Sequence, residues 1–197
     1  MNRTTSLLAR TLGVGLLSLL LLIAVSDRAT AQVARKSQVV SLKTALKEML
    51  QKEGAAKLKK LTVTVNAEQA RALAKQYGIE AASSYTVYQG LTADGALVGS
   101  VVIVNEQGKE GPLQVLVALR PGSEIYDLGF TVFGEDKGKP ALSWGYLKQY
   151  LGKTAGDPIV FGRDIDGVSS ATWTSTSVAV AVKEAVIVYD SLVRKGD

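Results

Sequence analysis

Between Ser41 and Glu53 the apolar residues Leu42, Ala45, Leu46, Met49 and Leu50 recur at i, i+3, i+4, i+7 and i+8. Lys43, Lys47 and Glu48 fall on the opposite side, so the spacing predicts an amphipathic helix that Gly54 stops. Leu61 to Val65 alternates in the manner of a short strand. Asn66 then opens a second helix over Ala67 to Tyr77, with Gln69 at the capping-box position and Gly78 as its C-terminal stop. Ser84 to Gln89 and Ala96 to Asn105 flank the turn signal Asp94-Gly95, a hairpin pattern. Leu113 to Leu119 and Ile125 to Phe133 are apolar runs of strand length, separated by Pro121-Gly122. Tyr85 and Tyr88, on the first of these four strands, are expected to serve sheet packing.

Beyond Phe133 the pattern changes. A polar Gly-containing loop from Gly134 to Pro140 leads to a short helix over Trp144 to Leu151. Ile159-Val160-Phe161 is an isolated apolar triplet with the composition of a brief strand. From Thr172 onward Val178, Val182, Ala185, Tyr189, Leu192 and Val193 form a helical stripe, although Val180 and Ile187 lie off it and Val178 to Val182 also suits a buried strand. The expected fold is α+β: an antiparallel meander of at least four strands with flanking helices, a single domain following an N-terminal signal.

That signal occupies residues 1–31. Arg3 and Arg10 precede the largely apolar stretch from Thr11 to Val25, and Ala29-Thr30-Ala31 has the small-residue form of a cleavage site. The stretch falls short of the roughly 20 residues that span a bilayer comfortably, so cleavage is expected, with an uncleaved membrane anchor as the alternative. Either outcome places the domain outside the cytoplasm, in a periplasmic or comparable extracytoplasmic space. Without residues 1–31 the chain has 20 basic and 17 acidic residues and a net charge of about +3. So mild an excess argues against nucleic-acid binding. Lys52, Lys57, Lys59 and Lys60 form a local basic run whose simplest account is a solvated face.

The chain contains no histidine and no cysteine. Haem attached through C-x-x-C-H, cysteine-ligated iron–sulfur clusters, Cys/His zinc sites, disulfides and His-based nucleophilic catalysis are therefore all excluded. No acidic pair has a spacing that points to a carboxylate hydrolase or metal site. Redox work by this chain requires an organic cofactor.

One stretch offers a place for it. Asp166-Gly167-Val168-Ser169-Ser170-Ala171-Thr172 combines an acid, a run of small residues and a terminal hydroxyl, followed by Trp173, Thr174 and Ser175. It resembles the flavin-attachment motif of the FMN-binding domain family, approximately Asp-x-x-Ser/Thr-Gly-Ala-Thr/Ser. That family includes FMN-carrying subunits of sodium-pumping NADH:quinone oxidoreductases and Rnf complexes. Asp166, Ser169, Ala171 and Thr172 match the motif, and Ser170 stands where glycine is usual. Gly111-Pro112-Leu113 and Tyr146 to Lys153 recur in the family's order, and the resemblance runs from about Gly108 to Val193. Residues 32–107 then form the N-terminal portion of the domain and 108–197 the FMN-binding portion.

The resemblance implies covalent FMN, joined through a phosphodiester to Thr172 by an FAD-dependent, metal-requiring flavin transferase. It also implies an electron carrier working with a membrane redox complex or another extracytoplasmic donor and acceptor, rather than a stand-alone catalyst. Asp166, Ser169, Ser170, Ala171, Trp173 and Thr174 are the expected cofactor-binding neighbours of Thr172. Glu135, in the loop Glu135-Asp136-Lys137-Gly138, joins them because related subunits carry Glu-Thr-Pro-Gly-Leu-Gly there against the flavin. Trp144 could also stack on a ring, with core packing as its alternative. Lys148 and Lys153 could neutralise phosphate, with solvation as theirs. Asp164 is expected to be a turn residue. The competing function is an exported ligand-binding or scaffold module of the same shape without flavin.

Overall fold

Val101 to Val104 and Leu116 to Leu119 are buried on both faces of their strands, the mark of a sheet covered on two sides. The computed structural model describes residues 39–196. The expectations for residues 1–31, a signal or an anchor, lie outside the described residues. Five antiparallel strands run in sequence order across one sheet: β1 (Lys57–Thr64), β2 (Ser84–Leu91), β3 (Leu97–Gln107), β4 (Pro112–Leu119) and β5 (Ile125–Phe133). The meander is therefore one strand wider than the four hairpin strands, because the short strand expected at Leu61 to Val65 begins at Lys57 and pairs with β2 along its whole length.

The pleat sorts the two faces. Val101 and Ile103 of β3 and Leu116 and Ala118 of β4 point to helix α1 (Leu42–Leu46), which continues as a π-helical turn over Lys47–Gln51. Val102, Val104, Leu113, Val115, Val117 and Leu119 point the other way. There they meet α2 (Ala67–Tyr77), the short α3 (Trp144–Leu147) and the long α4 (Thr172–Val188), which runs on as a π-helical turn over Tyr189–Arg194. Each fully buried Val or Leu contributes about 1.5–3 kcal/mol of transfer free energy, so the central pair β3 and β4 anchors both layers. Tyr85 and Tyr88, three residues apart on β2, serve opposite faces, Tyr85 in the larger core and Tyr88 against the smaller.

The local signals for α2 operate as expected. The Asn66 side chain accepts the Gln69 N–H, the Gln69 side chain accepts the Asn66 N–H, and Gly78 closes the helix in the left-handed conformation. α4 settles the helix-or-strand ambiguity in favour of helix. It is buried nearly all round, Ile187 included, because it lies across β3 and β4 with α3 and the following loop beside it. Thr172, Trp173, Thr176 and Val180 face outward.

One expected strand is absent. Ile159 and Val160 instead lead irregularly into a tight turn at 162–164, and the Asp164 carboxylate accepts the Ile159 N–H at 3.1 Å and the Val160 N–H at 2.7 Å. Ile159 takes a left-handed φ of +46°, and Phe161 makes only a single bridge to Ile165. Asp164 is thus a turn residue, as its sequence context suggests, and the backbone donors a strand would use are taken by its side chain.

Candidate functional site

At one end of the sheet four segments converge: the end of β3, the β3–β4 turn at 108–111, the loop 134–138 after β5, and the N-terminus of α4. Between them lies a cleft of about 710 Å³ lined by Glu106, Lys109, Glu110, Glu135, Lys137 and Gly138 on one side and by 170–174, Thr176, Ser177 and Val180 on the other. Its size falls within the roughly 300–1,000 Å³ typical of cofactor pockets.

α4 begins without a side-chain cap. Ala171 is its N-cap residue, and neither Ser169 nor Ser170 accepts a bond from the first turn. The small-residue run is therefore not an ordinary serine or threonine cap, the blander account of such a sequence. The leading N–H groups and the positive end of the helix dipole remain directed at the cleft mouth, where they favour an anion. Ser170 adopts φ +68°, so the residue standing at the family's glycine position keeps a glycine-like backbone.

The hydroxyls around this helix start differ sharply in their commitments. Thr174 Oγ1 donates to Glu135 Oε2 at 2.8 Å, Thr176 Oγ1 donates to the Thr172 carbonyl at 3.0 Å, and Ser177 Oγ donates to the Gln107 carbonyl at 3.1 Å. Ser175 is buried, with its Oγ accepting from the Val168 N–H at 3.4 Å. Thr172 is exposed, lines the cleft and makes no side-chain hydrogen bond to the described residues. Trp173 beside it is 62% exposed and Val180, two turns on, 46% exposed. Both line the cleft and present apolar surface that a flat ring system would cover.

Glu135 occupies the wall opposite Thr172's helix. It is only 3% exposed, and its Oε1 accepts the Glu110 N–H at 2.7 Å and the Gly111 N–H at 3.4 Å. Burial pushes its acidity the unfavourable way, but these bonds, those from Thr174 and the Lys109 N–H outweigh it, so the carboxyl titrates below its ordinary range. Glu110 answers from the other side: its Oε2 accepts the Asp136 N–H at 2.7 Å and the Lys137 N–H at 3.1 Å. The two carboxylates clasp the β3–β4 turn to the loop after β5. Gly108 and Gly138 are required by this clasp, since a Cβ on the first would stand 2.2 Å from Glu135 Oε1 and on the second 2.3 Å from Thr174 Oγ1.

The structure brings Thr172, Ser170, Ala171, Trp173, Thr174 and Glu135 together in the cleft. Ser169 is exposed just before it, and Asp166 lies outside its lining. The backbone of Asp166, rather than its carboxylate, is what the fold holds: its N–H donates to Gln149 Oε1 at 2.8 Å, and Gln149 Nε2 donates to its carbonyl at 3.0 Å. Lys148 and Trp144 are not cleft residues. Lys153 is neither solvated nor in the cleft, but pairs with Asp164 at 2.8 Å. The cations at the site are Lys109 and Lys137, which sequence reasoning passed over, together with Glu106, Glu110, Gln107, Thr176, Ser177 and Val180. In sequence this turn is marked only by the glycines at 108 and 111, and glycines do not announce that the Glu110 and Gly111 N–H groups will meet a carboxylate 25 and 24 residues away. Among the described residues no cluster of carboxylates is suited to a metal ion.

The cleft fits FMN on three observations: its volume, the uncommitted Thr172 hydroxyl at an uncapped helix start, and the exposed Trp173 and Val180 on its wall. Comparison with known proteins bears on the same segment. No curated protein matches the chain. The crystal structure of NqrC from Shewanella oneidensis is similar over 80% of this chain and 89% of that one, with a TM-score of 0.49 and 17% identity. Residues 108–187, which contain most of both walls of the cleft, match the FMN-binding domain family. Over those residues the chain is similar to the FMN-binding domains of that family.

Proposed function

We propose that this protein is an extracytoplasmic electron carrier holding FMN as a phosphodiester on Thr172 Oγ1. The observation that carries the reading is the Thr172 hydroxyl, exposed and without a partner among the described residues at the uncapped start of α4, inside the family-matched segment. Attachment is a phosphoryl transfer in which Thr172 Oγ1 forms a bond to the FMN-side phosphorus of FAD. The pyrophosphate bond breaks, AMP leaves, and the hydroxyl proton passes to a base on the flavin transferase. Ser170, left-handed before Ala171, turns the chain so that Thr172 opens the helix at the cleft mouth. The first-turn N–H groups and Lys109 and Lys137 offer favourable electrostatics for the diester anion. Trp173 and Val180 supply apolar wall, and the Glu135 and Glu110 clasp holds the facing loop in place.

The bound flavin supplies the one- and two-electron chemistry that this His-free, Cys-free chain lacks. A tether explains how an exported protein keeps its cofactor, because attachment raises the ring's effective concentration at the cleft to about the mM scale. Export is supported by the pattern of residues 1–31. Among the described residues no helix is long and apolar enough to cross a membrane. The partners would be a flavin transferase and a membrane redox complex or another extracytoplasmic donor and acceptor.

Intact-mass spectrometry of the exported protein, co-produced with a flavin transferase of this type, tests the reading. The expected result is a single FMN increment that Thr172→Ala abolishes and Ser170→Ala retains. A wild-type mass without that increment, or an increment that survives in Thr172→Ala, rejects it. The same preparation separates a flavin carrier from a flavin-free binding module, which would show no visible absorption band.

A further inference from the structure

Glu135 was expected from sequence to touch the cofactor, but its carboxylate is turned into the protein. Among the described residues the groups that bond it donate to it: the Glu110 and Gly111 N–H groups on Oε1, the Thr174 hydroxyl on Oε2, and the Lys109 N–H nearby. The two backbone N–H groups on Oε1 can only donate, so the geometry fits the charged form better than the neutral one. The carboxylate is covered rather than deep, in the wall of the same cleft that Thr172 and Trp173 line. Screening at moderate salt acts over about 10 Å between exposed charges and acts less on covered ones, and the cleft holds only about 710 Å³. A fixed covered charge in that wall is therefore felt throughout the cleft. Glu106 and Glu110 add negative charge to the lining and Lys109 and Lys137 oppose them, which leaves the lining one negative charge in excess.

We propose that Glu135 is a positioning residue that sets the reduction potential of the cleft's flavin by holding a fixed negative charge in its wall. The inference rests on the FMN reading above. Reduction by two electrons from a donor and one proton from solvent adds one negative charge to the flavin, and Glu135 opposes that charge. The Thr174 hydroxyl, donating to Oε2, partly offsets the field.

The two substitutions at this contact predict shifts of opposite sign. Glu135→Gln keeps an acceptor for the Glu110 and Gly111 N–H groups while removing the charge. Thr174→Val keeps the shape of the side chain while removing the donor that offsets it. The flavinylated full chain and both variants are titrated spectroelectrochemically at pH 8, with dithionite as reductant and dye mediators. Glu135→Gln is expected to favour the reduced form about tenfold, which is about 30 mV upward for a two-electron couple. Thr174→Val is expected to favour the oxidised form, about threefold. Equal potentials for wild type and Glu135→Gln overturn the proposal. So do shifts of the same sign in both variants, which a loosened cleft would produce. If Glu135→Gln does not fold, Thr174→Val decides alone: a downward shift supports the proposal, and no shift or an upward one overturns it. A wild type without FMN mass defeats the attachment reading and this proposal together, whereas FMN present with unmoved potentials defeats this one only.

Discussion

Replacing Ser170 by glycine isolates the backbone cost of the segment that leads into α4. Ser170 sits at φ +68° immediately before the Ala171 N-cap, and its side chain is exposed and makes no hydrogen bond to the described residues. An L-residue in the left-handed region costs about 1–2 kcal/mol. Glycine removes that cost but gives up about 0.5–1 kcal/mol to the greater freedom of its unfolded chain. The difference predicts that Ser170→Gly stabilises the protein by about 0.5 kcal/mol, a rise in Tm of about 1–2 °C for a domain of this size. Ser170→Ala retains the left-handed cost and should leave stability within about 0.3 kcal/mol of wild type, while the β-branched Ser170→Val should lose at least about 1 kcal/mol. Urea denaturation of the flavin-free protein, with m-values checked for constancy, measures all three. The reasoning is refuted if Ser170→Val is as stable as wild type, or if Ser170→Gly is the least stable of the set, since either outcome means that the backbone there is not left-handed.

Other groups give independent tests. Asp190 is buried beneath the end of α4, where burial opposes its charge but Lys195, Ser123 and Arg194 hold it, drawing its pKa down to about 2. A depressed carboxyl stabilises the fold above its unfolded pKa and loses that contribution as pH falls through the folded value. Discounting for the exposure of Arg194 and Lys195, Asp190→Asn should cost about 1–2 kcal/mol at pH 7, with the gap to wild type closing between about pH 4 and pH 2 in denaturation curves. Glu184 has the opposite sign. Burial, with a smaller push from Glu106, raises its pKa against the bonds from Tyr85 and the Ala82 N–H. Its protonated form is favoured in the fold, so stability falls as pH rises through the raised value; Glu184→Gln, which still accepts the Tyr85 hydroxyl, should gain on wild type from pH 4 to pH 8 in the same assay. Gly108→Ala would force a Cβ to within 2.2 Å of Glu135 Oε1. It should cost about 1–3 kcal/mol by overpacking, read as a lower urea midpoint, and a neutral result would show that the clasp is looser than its distances.

The contrast between α2 and the segment at Ile159 shows what was legible in the chain. Everything that determines α2 lies within its own residues: an Asn66/Gln69 capping box at one end and a Gly78 stop at the other. The hairpin around Asp94-Gly95 and the strand Ile125–Phe133 are equally local in origin. The Ile159-Val160-Phe161 triplet has the composition of a strand, yet a strand requires N–H groups that a neighbour can pair. Asp164 removes two of them, and nothing in the triplet itself records that an acid four residues on will do so. α4 was ambiguous for a related reason. Burial all round erases the polar stripe that makes a helix visible, and the helix identity comes instead from the layer of β3 and β4 beneath it.

The site divides along the same line. Thr172 and its small neighbours are contiguous, so a motif can expose them; the wall facing them is assembled from positions 108–111 and 134–138, joined only by the reciprocal bonds of Glu110 and Glu135. Those bonds require the β4–β5 hairpin to bring residue 134 back beside residue 111, where the Gly134 N–H donates to the Pro112 carbonyl at 2.8 Å. Glu135 could therefore be identified from sequence as a site residue but not given its task. A carboxylate that faces a ligand and one that faces three backbone donors look identical in a sequence. Only the folded hairpin decides between contact and field, and here it turns the carboxylate inward.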